Sequence, residues 1–334
     1  MPKVLALGEA LLRLSTEPGE LLNSSHSLQV HYGGAEANVA SALANLGHSV
    51  SFASKLPDSP LGMAVVRGLR ANGIDIAPVL FGGKRLGVYF VEQGNGPRYS
   101  KVIYDRACSS FCEMGIKEWN FDKLFAGVEL FHITGITFAL SKAWQKNGQI
   151  LVREAHKRSI PVSFDFNYRP SMWPLEEAIA AIRPILPMIS YCCINYLDAR
   201  NFFGINEAIA VPDHMEACYR EISRMYPNFR AIYATNRQVV NTSHHQLQGL
   251  LWMKGKFAKT KQYQINPVTD RIGGGDAFVA GMLHGILEGM EITENVQFAT
   301  GMSLLKHTIK GDSISLNVSN IQEWLNSTNR EVRR

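Results

Sequence analysis

The sequence predicts an α/β protein with a mostly parallel sheet and helices on both faces. Three observations carry that expectation. Short apolar runs alternate with Ala- and Leu-rich helical segments along most of the 334 residues, and repeated β–α units demand crossovers between parallel strands. The stretch 82–110 breaks the alternation with two β segments around Gly94-Asn95-Gly96-Pro97, a hairpin signature inserted in an otherwise α/β chain. A hydrophobic content of 46% over this length can fill one large core or two smaller ones.

The elements follow in order. Lys3 to Leu7 reads as a buried strand ending at Gly8-Glu9, and residues 15–31 are polar and turn-rich. Tyr32-Gly33-Gly34-Ala35-Glu36-Ala37-Asn38 leads into an Ala/Leu helix that stops at Gly47. Val50 to Ser54 alternates as a strand, and Leu61 to Ala71 is a helix stopped at Asn72-Gly73. Leu86 to Val91 and Tyr99 to Tyr104 form the hairpin. Strands are then expected at Leu130 to Thr137, Pro161 to Asn167, Tyr191 to Asn195 and Ala231 to Thr235. Helices are expected at Lys142 to Lys157, Glu176 to Ile182 and Asp213 to Tyr226. A second hairpin spans Val239 to Trp252, helices cover about 276–288 and 294–308, a short one lies near 320–326, and the tail from Asn326 frays. No internal repeat or linker divides the chain.

Composition excludes several classes. The net charge of +5 is spread thinly, with no basic block interleaved with aromatics, so nucleic acid is not an expected partner. The N-terminal apolar run is too short for a secretion signal, and no uninterrupted run approaches the ~18 residues of a membrane span. Five cysteines, with Cys192 and Cys193 adjacent and no CxxC pattern, suit reduced thiols. The expectation is a soluble cytoplasmic protein without a membrane partner.

The chemistry centres on Val268-Thr269-Asp270-Arg271-Ile272-Gly273-Gly274-Gly275-Asp276, which runs directly into an apolar helical segment. Glycines at a helix start leave N–H groups without intrahelical partners, and with the helix dipole they favour an anion. Asp276 adds a carboxylate beside that first turn. A donor cradle beside a base is what phosphoryl transfer to an alcohol requires. Other nucleotide motifs fail: a P-loop ending at Gly83-Lys84 meets Pro78 and Arg85 where Gly and Ser/Thr are needed, and Gly94-Asn95-Gly96 lacks a third glycine and a following helix. No metal-ligand spacing is present, and His244-His245 sits in a hairpin. In parallel α/β folds ligands bind beyond the carboxyl ends of the strands, which nominates Asn38, Asn167, Arg169, Asn195 and Asp276.

Gly33-Gly34-Ala35-Glu36-Ala37-Asn38-Val39-Ala40, paired with Gly273-Gly274-Gly275-Asp276 near the other end, resembles the ribokinase-like (pfkB) carbohydrate kinases over nearly the whole chain. The resemblance implies a single ribokinase-like domain over 1–334: a three-layer α/β/α sandwich with a mostly parallel central sheet and a small β lid at about 13–33 and 82–110. It implies that Asp276 is the base for the sugar hydroxyl, that Gly273, Gly274 and Gly275 form the anion hole, and that Gly34 and Asn38 contact the sugar. Within the family, Arg85 to Phe90, Val102 to Arg106, His132 to Thr137 and Asp165-Phe166-Asn167-Tyr168-Arg169-Pro170 are most similar to 2-keto-3-deoxygluconate kinases. A sugar acid brings a carboxylate, which arginine forks recognise. Arg106 and Arg169 can supply them, with Arg169 equally open to ATP phosphates or to bridging both ligands. Tyr89 and Tyr104 can stack on the sugar or donate hydrogen bonds, and the resemblance places Asp312 near it. Homodimers formed through the lid are common in that family, although no apolar strand in the sequence demands one.

The chain also departs from the family pattern. Asn195-Tyr196-Leu197-Asp198 carries Asp where the family's Asn-x-x-Glu links a glutamate to magnesium. The Gly-x-x-Gly loop expected after Ala231 to Thr235 is replaced by Thr235-Asn236-Arg237-Gln238. Nucleotide binding is therefore expected to use Asn167, Asn195, the Thr235 hydroxyl and the Arg237 guanidinium along with Gly273 and Gly275. The expected activity is ATP- and Mg2+-dependent phosphorylation of 2-keto-3-deoxygluconate. A neutral ketose, another deoxy-keto acid, or a sugar-acid sensor without kinase activity are the alternatives.

Overall fold

The structure, a computed structural model, describes residues 3–327, so the tail expected to fray lies almost wholly outside the described residues. The first half contains strands β1 (Lys3–Leu7), β2 (Leu11–Ser15), β3 (Gln29–Gly33), β4 (Ser49–Leu56), β5 (Val79–Phe81), β6 (Gly87–Glu92), β7 (Lys101–Asp105), β8 (Leu130–Thr134) and β9 (Val162–Asp165). Its helices are α1 (Ala35–Asn45), α2 (Pro60–Ala71), α3 (Phe121–Leu124), α4 (Gly135–Phe138) and α5 (Lys142–Lys157). The second half adds α6 (Leu175–Ile182), β10 (Tyr191–Cys193), α7 (Tyr196–Phe203), α8 (Met215–Met225), β11 (Ala231–Asn241), β12 (His244–Met253), β13 (Lys256–Lys259) and β14 (Tyr263–Ile265). Helices α9 (Gly274–Leu287), α10 (Ile292–Lys306) and α11 (Val318–Asn326) complete it.

Ten strands form one sheet in the order β13-β12-β11-β10-β9-β8-β1-β4-β5, with β14 also pairing β12. From β11 to β5 every pair is parallel, and β12 with its two partners is antiparallel. The side-chain period of two splits the core across this sheet. Leu5 and Leu7 join Phe131, Phe164 and Trp144 on one face, while Val4 and Ala6 join Phe52, Phe278 and Met302 on the other. The second face is covered by α9, which is apolar nearly all round and therefore buried. On the first face Ser141 caps α5 by accepting from the Trp144 N–H at 3.2 Å, and Trp144, Leu151, Val152 and Ala155 point inward.

A separate four-stranded sheet, β3-β2-β6-β7, mixes antiparallel pairs at its edges with a parallel β2–β6 pair at its centre. It draws on both stretches expected to form the lid, and its first strand starts at Leu11, two residues before the predicted boundary. Several elements differ from expectation. The strand expected at Leu130 to Thr137 ends at Thr134, whose hydroxyl accepts from the Ile136 N–H and opens α4. Strand β11 runs on to Asn241, so the hairpin with β12 spans 231–253 rather than 239–252. Strands β5, β13 and β14 and helices α3 and α7 were not expected.

Candidate active site

One cleft, of about 500 Å³, is lined from the large sheet by Ile136, Asp165, Asn195 and Thr235, which lie at or beyond the carboxyl ends of β8, β9 and β10 and within β11, and from the small sheet by Leu11, Tyr89, Val102 and Tyr104. The fifteen residues singled out above all line it: Gly34, Asn38, Tyr89, Tyr104, Arg106, Asn167, Arg169, Asn195, Thr235, Arg237, Gly273, Gly274, Gly275, Asp276 and Asp312.

Helix α9 starts at the floor of this cleft. Gly273 is its N-cap with φ +79°, a left-handed conformation, and a Cβ there would sit 1.7 Å from the Asp312 carbonyl oxygen. Only glycine fits. A Cβ on Gly275, by contrast, would meet no protein atom within 4 Å, so its smallness serves no packing need inside the protein. Asp276 follows in the first turn, and its Oδ2 accepts from Asn38 Nδ2 at 2.7 Å. Burial pushes the Asp276 carboxyl up to about 7; the negative charges of Asp165 and Glu36 add to the rise, while the Asn38 hydrogen bond and Arg169 oppose it.

Further acids lie in and around the cleft. Burial raises Asp165 to about 6 and Asp198 to about 7, and the charge of Asp165 adds to the second shift. Glu36 is raised by burial, against the hydrogen bonds it accepts from the Thr134 N–H and hydroxyl and from the Thr137 hydroxyl. Asp198 also accepts from the Asn195 N–H at 3.1 Å, while Asn195 Oδ1 accepts from the Leu197 and Asp198 N–H groups. That is a capping box opening α7. The Asn195 side-chain oxygen is thus committed to the helix, leaving its amide NH2 for any ligand.

Arginines line the same cleft. Arg169, Arg237 and Arg271 line the cleft, and among the described residues none of them makes an ion pair. Burial lowers Arg237 to about 10, with the charges of Arg271 and Arg169 adding to the shift. Arg271 is lowered for the same reasons, burial first and then Arg169. Such a cluster is an anion site in search of charge. Arg106 differs. Its Nε donates to Glu9 Oε2 at 2.6 Å, both side chains are buried, and its guanidinium lies 5.8 Å from the Tyr104 ring centre. Half of its fork is already used.

Sequence reasoning missed the partners beneath these groups. Arg13 pairs with Asp270 and Asp312, Tyr89 donates its hydroxyl to Asp312, and Lys306 is fully buried next to them. A charged residue inside an apolar strand pattern, Leu11-Leu12-Arg13-Leu14, was the available signal. Of metal-competent clusters, His48, His284 and Glu288 lie at the opposite end of α9, where His48 Nε2 and His284 Nδ1 share one hydrogen bond of 2.8 Å.

Fold and cleft together define the class: an α/β carbohydrate kinase with its cleft at the carboxyl end of a parallel sheet. The family profile described as pfkB family carbohydrate kinase matches residues 1–318. The chain belongs to that family. It is 29% identical to a 2-dehydro-3-deoxygalactonokinase of Haloferax volcanii over 93% of this chain and 92% of that protein. It is 27% identical to a 2-dehydro-3-deoxygluconokinase of Thermoproteus tenax over 95% and 91%. Among solved structures, a 2-dehydro-3-deoxygluconokinase of Thermotoga maritima superposes with a TM-score of 0.94 at 33% identity, covering 98% of this chain and all of that one. The expected ribokinase-like α/β architecture is therefore borne out, and among the described residues no helix is long and apolar enough to cross a membrane.

Proposed function

We propose that this kinase transfers the γ-phosphoryl group of ATP to the terminal hydroxyl of a 2-keto-3-deoxy sugar acid, 2-keto-3-deoxygluconate first among them. One observation carries the reading: the Asp276 carboxyl, raised to about 7, stands in the first turn of α9 directly after the glycine turn. A base with a pKa near the working pH is both ionised and basic enough to help. Asp276 accepts the hydroxyl proton as the alcohol oxygen bonds to phosphorus, and the bond to the ADP oxygen breaks. The Gly274 N–H already donates to the Arg271 carbonyl at 3.3 Å, so the Gly275 N–H is the glycine donor left for the oxygens of the group in transit, and the open side of Gly275 leaves room for it.

Arg169, Arg237 and Arg271 suit the phosphates and the sugar carboxylate. Asp165 and Asp198 are an oxygen donor set that fits magnesium, and the ion they would hold would offset phosphate charge. Arg106, held by Glu9 and set beside Tyr104, orients one edge of its fork toward the acid. The printed names of the Haloferax and Thermoproteus relatives favour a keto-deoxy acid and leave both epimers at C4 as substrates of this reading. The outer face of the small sheet, where Val30 and Ile103 are exposed, is the surface on which two copies would pair.

An ADP-release assay with 2-keto-3-deoxygluconate, its galactonate epimer, fructose and ribose tests the proposal. Preference for the keto-deoxy acids is expected. Preference for fructose or ribose would reassign the arginines to ATP alone, and silence with all four while ATP binds would favour a sensor.

A further inference from the structure

Arg13 sits in β2, a central strand of the small sheet, and is fully buried. Its three donor faces are all engaged: Nη2 meets Asp270 Oδ2 at 2.8 Å, Nη1 meets Asp312 Oδ2 at 3.1 Å, and Nε donates to Ser15 Oγ at 2.6 Å. A guanidinium held at three points has one orientation. Each carboxylate it holds is itself tied to the floor of the cleft. Asp270 Oδ1 accepts from the Ile272 N–H at 3.0 Å and Oδ2 from the Gly311 N–H at 3.1 Å, so it shapes the turn leading into Gly273. Asp312 presses its carbonyl against Gly273 and takes the Tyr89 hydroxyl from β6.

Lys306 completes the cluster. Its side chain is wholly buried, Nζ donates to the Ile309 carbonyl at 3.0 Å, and its Cε packs beside Gly273. Two cations, Arg13 and Lys306, thus face two anions, Asp270 and Asp312, in a site shielded from water. Neutrality of the cluster depends on Arg13, and so does the link between the small sheet and the loops carrying Asp270 and Asp312.

We infer that Arg13 is a positioning residue that couples the small sheet to the phosphoryl-transfer turn. It sets the Asp270–Gly273 backbone, and through it the N–H groups at the start of α9, while holding Asp312 and Tyr89 toward the sugar. This rests on the kinase reading above. A shift of about 1 Å in such a turn costs on the order of 10²-fold in rate, and a lysine cannot replace a fork that bridges two carboxylates.

The test uses Arg13→Met, Arg13→Lys and the milder Ser15→Ala, which keeps every charge and frees one face of the fork. Three readouts are needed: kcat with saturating sugar acid and ATP, sugar Kd by calorimetry, and hydrogen exchange of peptides covering 270–276 and 142–157. The expected result is a kcat loss of about 10²-fold in both Arg13 variants and several-fold in Ser15→Ala. Exchange should accelerate in 270–276 and stay unchanged in 142–157. Should the Arg13 variants not fold, Ser15→Ala decides by the same readouts. Wild-type kcat and exchange in folded variants overturn the inference, as does a loss confined to sugar Kd, which would make Arg13 a support for Tyr89 and Asp312 only. If the wild-type protein phosphorylates none of the sugars, the kinase reading fails, and the exchange readout still judges the positioning claim.

Discussion

The unpaired charges in and around the cleft contrast with the ion pairs beneath its floor. Glu36, Asp165, Asp198 and Asp276 are desolvated, and each carboxyl is raised. Arg237 and Arg271 are lowered by burial and by the arginines around them. Nothing forces a protein to keep like charges apart from their natural partners across a few residues, since an Asp–Arg pair would relieve both. Beneath the floor the chain does form such pairs, in Arg13 with Asp270 and Asp312 and in Arg106 with Glu9. The contrast separates two uses of buried charge. Paired charges fix geometry, whereas unpaired clusters of one sign hold unfavourable electrostatics that a ligand of opposite charge relieves.

Removing the base should produce the largest effect. Asp276→Asn keeps the shape and the Asn38 neighbour but cannot take a proton, so kcat is expected to fall by about 10²–10⁴-fold with sugar binding little changed. Steady-state kinetics and calorimetry on the same preparation check this, and near-wild-type turnover would sink the assignment. The arginines rank next. Arg237→Met should raise the KM for ATP by about tenfold to a hundredfold, the range of a charge-assisted hydrogen bond, and leave the sugar KM close to wild type. Arg169→Met should raise the KM for keto-deoxy acids about tenfold with little change for fructose. Arg106→Met should do so less, because Glu9 already offsets its charge. An equal loss for acid and ketose in Arg169→Met would place that arginine on ATP instead.

How much of this was legible in the sequence follows the same division. Local signals read well: a glycine turn running into an apolar helix placed α9 and Asp276, and the strand ends nominated residues that line one cleft. Long-range pairing did not read. Arg13 bonds to residues more than 250 positions away, and in the sequence it only interrupts an apolar run, so its partners could not be read although it falls at the edge of the expected lid. Helix α7 went unseen because Asn195 and Asp198 were read as ligand chemistry, while their spacing is also that of a capping box. The same two residues satisfy both descriptions, and local pattern alone cannot choose. Strand β5 has three residues and no periodicity to detect.

The smallest expected effect is the sharpest probe of the carboxylates, because its sign is fixed. With Asp276 as base, kcat should rise with pH through a limb near 7, where that group ionises in the fold. Asp165 raises the Asp276 pKa as a like charge, so Asp165→Asn should move the limb to lower pH. Asn38 donates at 2.7 Å to the carboxylate and favours its charged form, so Asn38→Leu should move the limb to higher pH. Each shift is expected to be about 0.5–1 unit. Stability supplies an independent reading of the same groups. A carboxyl at about 7 in the fold and near its ordinary 3.8 when unfolded binds more protons in the native state between those values. Its contribution is thus present in full below 3.8 and is lost as pH rises toward 7, so ligand-free protein should melt at a lower temperature at pH 7.5 than at pH 5. Asp276→Asn, which cannot titrate, should flatten that decline. Limb shifts in one common direction for Asp165→Asn and Asn38→Leu would show that the limb belongs to another group, with Asp198, also raised to about 7, the first to examine.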